Sequence, residues 1–429
     1  MTTRSRSIAF LIAASLALGA CSGASSVPPG GNIELARSTV ARVAANPADA
    51  VLAGSAINAF GLALYAKLAA DTPNTVISPA SIALALGMAR VGAKGQTGTE
   101  MDAVLHSLAS DANASWLNAL DAALAARSGT FKDANGKDLA VALRIANAPF
   151  AQKGMAIEPA YLDALASRWG AGLRLVDYIN ATEAARKAIN GWVSDQTEQR
   201  IPELLDPGVL DDMSRLTLVN AIYLKAAWQD PFEASATANG TFTTAAGKAV
   251  TVPLMHATTS LRYAKGPGWQ AVEIPYIGGS LAMTVILPDD LTAFEQQFNA
   301  ATLDAITAAL GETQVTLTLP KFSIETKAEL SALLEALGMP TAFSGGADFS
   351  GITTAEKLVI SAVIHQANID VDEKGTTAAA ATAIVLRATG MPAEPVTLSV
   401  DHPFLFALRD VPTGTVLFLG RVGDPSITR

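Results

Sequence analysis

Between Gly375 and Gly390 the chain reads TTAAAATAIVLRAT, fourteen residues without glycine or proline, and Pro392 and Pro395 follow at once. The first eight side chains are all Thr or Ala, and Arg387 carries the one charge. Alanine favours helix, whereas Thr, Ile and Val suit extension, so local propensity leaves a buried helix and a plain strand both open. Prolines directly after the run argue for an exposed loop rather than a continuing sheet. A loop that can also become a strand accounts for the composition better. Fourteen extended residues reach about 46 Å at ~3.3 Å each, enough to cross a large sheet. Every one of them keeps an N–H for a ladder. Small side chains at the leading end can slide between two strands with little repacking. With a period of two, Thr376, Ala378, Ala380, Thr382, Ile384 and Leu386 share one face, and Arg387 falls on the solvent side.

Outward from this segment the texture is helical first and strand-like later. Apolar spacing at Phe60, Leu64 and Leu68 predicts a helix over 57–70, and a buried helix is expected over 81–91, just after Pro79. A more polar helix is expected over 181–199, with Ile189, Trp192 and Val193 on its face. From Leu216 onward, β-branched or alternating runs predict strands at 241–243, 249–253, 269–275, 281–287 and 315–319. A short helix over 329–337 follows a strand at 321–324, and buried strands are expected at 359–371 and 415–422. No repeat and no linker interrupts residues 50–424, which implies one α+β domain.

Composition excludes disorder, collagen and coiled coil: of 429 residues, 50% are hydrophobic, 16% charged and 6% aromatic. The formal charge of −9 without basic blocks argues against nucleic acid and anionic lipid as partners. Beyond the first twenty residues no run is expected to reach the ~18 uncharged apolar residues of a spanning helix. Arg4 and Arg6 precede the apolar stretch 8–18, and LGAC ends in Cys21, the one cysteine of the chain. A basic start, a short apolar core and small residues read as an export signal over 1–20, and the ending resembles the lipobox of bacterial lipoproteins. Cys21 is then expected to be lipidated, since a lone thiol has no internal disulfide partner. Residues 21–50 form an extension that begins with a flexible tether, and 51–429 the folded domain. No HExxH, GxSxG, SxxK, P-loop or GxGxxG pattern occurs, and four histidines with one cysteine suggest no metal site. No cofactor is expected, and no catalytic nucleophile can be named.

Five stretches carry a resemblance to the serpins, the serine protease inhibitor family: NTVISPASIALALGMARVGAKGQT (74–97), LVNAIYLKAAWQDPF (218–232), LPKFSIET (319–326), VDEKGTTAAAAT (371–382) and DHPFLFALRD with VLFLGRVGDP (401–425). The resemblance implies three β-sheets with eight or nine helices and an exposed reactive-centre loop at about 375–395. It also implies suicide inhibition rather than enzyme turnover. A serine protease attacks the loop, an acyl-enzyme forms, and the freed loop enters the main sheet as a new strand before deacylation. The native state is then kinetically trapped.

By the same resemblance, Glu373, Gly375, Thr376, Thr377, Ala378, Ala379, Ala380, Ala381 and Thr382 form the hinge. Thr377 stands where glutamate is more usual, a position facing outward after insertion. Ser78, Ser81, Asn220 and His365 match the polar shutter beneath the main sheet. Trp228, Lys321 and Glu373 match the breach, where insertion begins. Family spacing from Gly375 places the scissile bond between Thr389 and Gly390, which suits elastase-like or subtilisin-like proteases. Arg387–Ala388 is the rival bond and would suit a trypsin-like pocket. The stretch 390–403 is about three residues longer than in many members, so both bonds stay open. The expected partner is a target protease in a covalent complex with a monomer. The expected location is exported and membrane-anchored, facing the periplasm or the cell surface. The alternative is a non-inhibitory member serving as carrier, chaperone or surface-binding protein. Such members usually carry bulky, charged or proline residues in the hinge, and none occurs between Gly375 and Ile384.

Overall fold

The computed structural model describes residues 33–69, 72–107, 110–376 and 394–428. Two hydrogen-bonded ladders and nine α-helices make up these residues. The sheet that matters for function runs Glu34–Ala36, Leu173–Val176, Asp138–Gln152, Leu216–Ala227, Gly375–Thr376, Ala362–Asp372, Phe322–Glu329, with Gly129–Lys132 beside Asp138–Gln152. The second ladder includes the long strand Ala249–Gly266. That strand pairs in succession with Ala238–Thr243, Gly311–Pro320 and Trp269–Pro275. It joins what would otherwise be two separate sheets, which is how an expected three-sheet fold forms two continuous ladders.

Strand Leu216–Ala227 is buried along almost its whole length, and the two-residue period divides its faces. Val219 and Ala221 pack with Ala185, Ile189 and Val193 of helix Tyr178–Gln196. Leu218 and Ile222 belong to the main core, which includes helix Pro79–Arg90. Burial on both sides explains its near-continuous apolar sequence. Helix Pro79–Arg90 starts on Ser78, whose side chain accepts from the Ser81 N–H, and all its residues are buried. Helix Pro47–Leu68 lies close enough that a Cβ on Gly61 would come within 2.4 Å of the Pro79 ring, so glycine sets that approach.

Several sequence expectations need correction. Helix 57–70 begins ten residues earlier, at Pro47, where the Asn46 side chain caps the Ala48 N–H. This helix is long and apolar enough to cross a membrane by length and composition, contrary to the expectation that no such run exists. Half of its apolar window is buried inside the fold, which suits a core helix. The first half of the chain also holds a fifteen-residue strand, Asp138–Gln152, that the sequence reading missed. Ala140, Ala142, Ala146, Ala148 and Ala151 blur its alternation, and Pro149 argues against an interior strand. The neighbouring strand Leu173–Val176 joins only from Phe150 onward, so the proline sits where no ladder partner flanks it on that side. The polar helix expected from 181 is preceded by a turn over Tyr178–Asn180 capped by Asp177, with a kink at Ala181 (φ −147°, ψ 45°) between the two.

Candidate functional site

Strands Leu216–Ala227 and Ala362–Asp372 run parallel and pair directly from Thr217↔Ala362 to Ile222↔Ala367. Beyond that point they part. Gly375–Thr376 sits between them, antiparallel to both, with Gly375 opposite Ala227 and Asp372, and Thr376 opposite Ala226 and Val371. Among the described residues no pairing crosses from Tyr223–Leu224–Lys225 to Asn368–Ile369–Asp370. The sheet therefore contains a slot, closed at one end by direct pairing and plugged at the other by a two-residue strand.

At the closed end lies a fully buried polar network. The Ser78 N–H donates to His365 Nε2 at 3.1 Å, and His365 Nδ1 lies 2.5 Å from Asn220 Oδ1. Because Nε2 accepts, Nδ1 carries the proton and donates to Asn220, whose Nδ2 in turn donates to the Ile364 carbonyl at 3.2 Å. Ser81 extends the network, its hydroxyl donating to Asn147 Oδ1 at 3.0 Å. Burial pushes the His365 pKa down to about 3, so the ring is neutral at physiological pH. A second proton would face the Ser78 N–H with no acceptor.

At the mouth, Trp228 is fully buried, stacks on Tyr276 with ring centroids 4.4 Å apart, and donates from Nε1 to the Asp372 carbonyl at 2.9 Å. Its own N–H donates to the Lys374 carbonyl, and the Phe232 N–H to that of Glu373. The turn that reverses the chain from Asp372 to Gly375 is thus held from one side by the Trp228–Phe232 segment. Lys321 Nζ pairs with Glu373 Oε2 at 2.9 Å, and the Thr237 hydroxyl donates to Oε1 at 2.9 Å. Burial raises the Glu373 pKa, but these partners outweigh it and hold the carboxyl below its usual value. Gly375 has φ +143°, and a Cβ there would stand 2.2 Å from the Ala226 carbonyl oxygen. Only glycine fits that position. Thr376 is buried, its hydroxyl 2.5 Å from that of Tyr276.

Over the slot runs the end of helix Tyr178–Gln196 and the segment after it, tied to both rims. On one side Glu198 pairs with Arg144 at 2.8 Å and accepts from the Tyr223 hydroxyl at 3.2 Å. On the other, Arg200 reaches Asp370 at 3.5 Å, the Asn368 side chain donates to the Arg200 carbonyl, and Lys327 pairs with Asp206 at 2.7 Å. Glu198 and Gln199 both adopt positive φ, 51° and 62°. Two consecutive left-handed residues with side chains store roughly 1–3 kcal/mol each, so the cover is strained where it crosses the slot.

The structure brings Ser78, Ser81, Asn220 and His365 into one network and Trp228, Lys321, Glu373, Gly375 and Thr376 into another. Thr377, Ala378, Ala379, Ala380, Ala381, Thr382, Arg387, Ala388, Thr389, Gly390 and Cys21 lie outside the described residues, as does the leader. Sequence reasoning missed Tyr276, Thr237, Asn147 and the covering residues Glu198 and Arg200. An aromatic at the end of a predicted strand was the one available signal, at Tyr276; the others act only through tertiary placement.

The geometry is that of a sheet whose two central strands pair directly along one half of their seam and are parted along the other by a two-residue strand. The model of the family described as Serpin (serine protease inhibitor) matches residues 55–425. The chain belongs to the serpin family. It is 39% identical over 376 residues to a serpin-like protein of Thermococcus kodakarensis, covering 86% of this chain and 85% of that protein. It is 37% identical over 380 residues to the leukocyte elastase inhibitor of Sus scrofa, covering 85% and 97% respectively. Among solved structures it resembles the thermophilic serpin tengpin in its native state, with TM-score 0.80, 25% identity and coverage of 91% and 100%.

Proposed function

We propose that this protein inhibits serine-type endopeptidases by sacrificing the loop at about 375–395. The observation that carries this reading is the two-residue strand Gly375–Thr376, already paired with both walls of the slot. Residues after Thr376 need only continue an existing ladder, with Thr376, Ala378 and Ala380 on the inward face. The protease forms an acyl-enzyme at the cut bond, and strand addition then carries it away before water can release it. Ladder hydrogen bonds and apolar burial gained only after cleavage supply the driving force. The hinge is free of bulky or charged residues from Gly375 to Ile384, which supports the inhibitory reading over carrier roles. Cleavage is assigned to Thr389–Gly390, with Arg387–Ala388 as the rival, so elastase-like or subtilisin-like proteases are the proposed targets. The names of the elastase-inhibitor relatives support that class. The proposed working form is an exported monomer, lipidated at Cys21 and facing the periplasm or the cell surface.

Incubation of the chain with elastase, subtilisin and trypsin tests this reading. An SDS-stable complex and a released peptide starting at Gly390 are expected; a peptide starting at Ala388 would move specificity to Arg387. Loop cleavage is also expected to raise the melting temperature by more than about 10 °C, since a full added strand contributes many ladder bonds. Cleavage without a complex and without a rise in melting temperature sinks the mechanism.

A further inference from the structure

Beneath the covering helix lies a cavity of about 250 Å³ whose lining includes Arg37, Asn147, Gly172, Arg174, Trp192 and Gln196 and no acidic residue. A larger cleft of about 1090 Å³ elsewhere carries Asp289, Asp290, Glu295 and Asp401 instead. Arg174, on strand Leu173–Val176, lays its guanidinium 4.5 Å over the Trp192 ring. Trp192 is fixed in turn by an edge contact with Phe150 at 5.6 Å. Among the described residues, neither Arg174 nor Arg37 has an ion pair or a hydrogen bond from its side chain. Withdrawing a cation from water without a counter-charge is costly, and burial accordingly lowers the Arg174 pKa. Asn147 accepts from Ser81 through its oxygen, which leaves its NH₂ without a protein acceptor among the described residues. The cavity is thus a set of donors around an uncompensated guanidinium, whose planar fork matches a carboxylate or phosphate. Its volume equals that of roughly eight waters, room for a small polyatomic anion.

We infer that this cavity binds a small oxyanion, held by Arg174 and Arg37 against the Trp192 face, and that the bound anion ties the covering helix to strand Asp138–Gln152. The second half rests on the insertion reading above. Ala185, Ile189 and Val193 of helix Tyr178–Gln196 share one buried cluster with Ala146 and Phe150, with Val219 and Ala221, and with Ala362 and Ile364, so the helix lies across the closed part of the seam that a longer inserted strand must open. Admitting a strand separates the slot walls by about 4.8 Å, and the helix must slip over one of them. An anion bridging Trp192 and Gln196 to Arg174 and Asn147 resists that slip. By reciprocity, loop insertion changes the affinity for the anion.

The test is a calorimetric titration of the full chain with inorganic phosphate and, separately, with citrate, against chloride at matched ionic strength. Saturable one-site binding of at least one probe is expected, weakened at least tenfold by Arg174→Met and at least threefold by Arg37→Gln. Arg37 is exposed, so its variant keeps the test alive if Arg174→Met fails to fold. No saturable binding, or equal affinity in wild type and both variants, overturns the site. The same titration on chain cleaved in the loop is expected to change Kd at least threefold. Equal affinity there, in a product whose melting temperature has risen, overturns the coupling. A product whose melting temperature has not risen indicts the insertion reading instead, while the titrations on uncleaved chain still judge the site.

Discussion

One strand pair, Leu216–Ala227 against Ala362–Asp372, meets in two opposite ways. At the closed end the backbones bond directly, and His365, Asn220 and Ser78 lock the seam with a network that has no exposure to water. At the mouth the backbones are held apart by Gly375–Thr376, and the contacts there run from side chains and turns to the hinge, with Trp228 Nε1 reaching the Asp372 carbonyl across the end of the seam. The closed end is held wall to wall, whereas the mouth is held through the intervening strand, and under the proposed mechanism opening starts there. A sheet that is zipped and wedged along one seam can be extended from the wedge without first being broken at the lock.

Disrupting the wedge is expected to have the largest effect. Gly375→Val drives a side chain into the Ala226 carbonyl at a φ that L-residues avoid, costing more than about 3 kcal/mol. The variant should be cleaved as a plain substrate, with complex lost from denaturing gels. Retention of full complex yield would mean that the seated hinge is not the start of insertion. Thr376→Arg follows, because a charge buried without a partner costs about 2–4 kcal/mol and the Tyr276 contact is lost. Its stoichiometry of inhibition should rise several-fold while loop cleavage persists.

Breaking the lock comes next. His365→Leu strands the Ser78 N–H and should cost about 1–3 kcal/mol, read as faster unfolding of the native form in urea. The same residue predicts a pH dependence. The folded pKa, about 3, lies below the ~6.5 of an unfolded histidine, so the unfolded chain binds the extra proton. Stability from this group is therefore complete above about pH 6.5 and falls as pH drops towards 3, by up to about 1.4 kcal/mol per unit. The variant's stability should fall less steeply between pH 6.5 and 4 than the wild type's; parallel curves would exclude His365 as the cause. The smallest effect is expected for Lys321→Met. Its ammonium is more than a third exposed, so losing the Glu373 pair should cost at most about 1 kcal/mol. A small rise in the rate of loop capture would place that pair as a trim on the mouth rather than its anchor.

The contrast between the two ends was unevenly legible in the residues themselves. The small-residue run after Gly375, the two glycines that bound it and the prolines beyond it are local facts, and they point to an inserting loop. Strands such as Leu281–Pro288 were readable because continuous apolar runs survive without knowing their neighbours. Asp138–Gln152 was not, because its alanines remove contrast between faces and Pro149 speaks against a strand that only its neighbours make possible. The covering residues Glu198 and Arg200 look like ordinary surface charges until the helix is laid over the seam. The two arginines of the proposed anion cavity are invisible for the same reason, since Arg37, Arg174 and Trp192 meet only in space.

By itself, the sequence determined the family, through five motifs in order, and the small-residue composition of the run after Gly375 on which the insertion proposal rests. Those properties depend on which side chains follow one another. Tertiary structure alone decided where the seam is closed, where it stands open, and which neutral form of His365 locks it. These depend on register and burial between segments more than a hundred residues apart, such as Asn220 and His365. Long-range pairing and desolvation are set by what packs against a group, and a neighbour in space leaves no trace in the residues next to it in the chain.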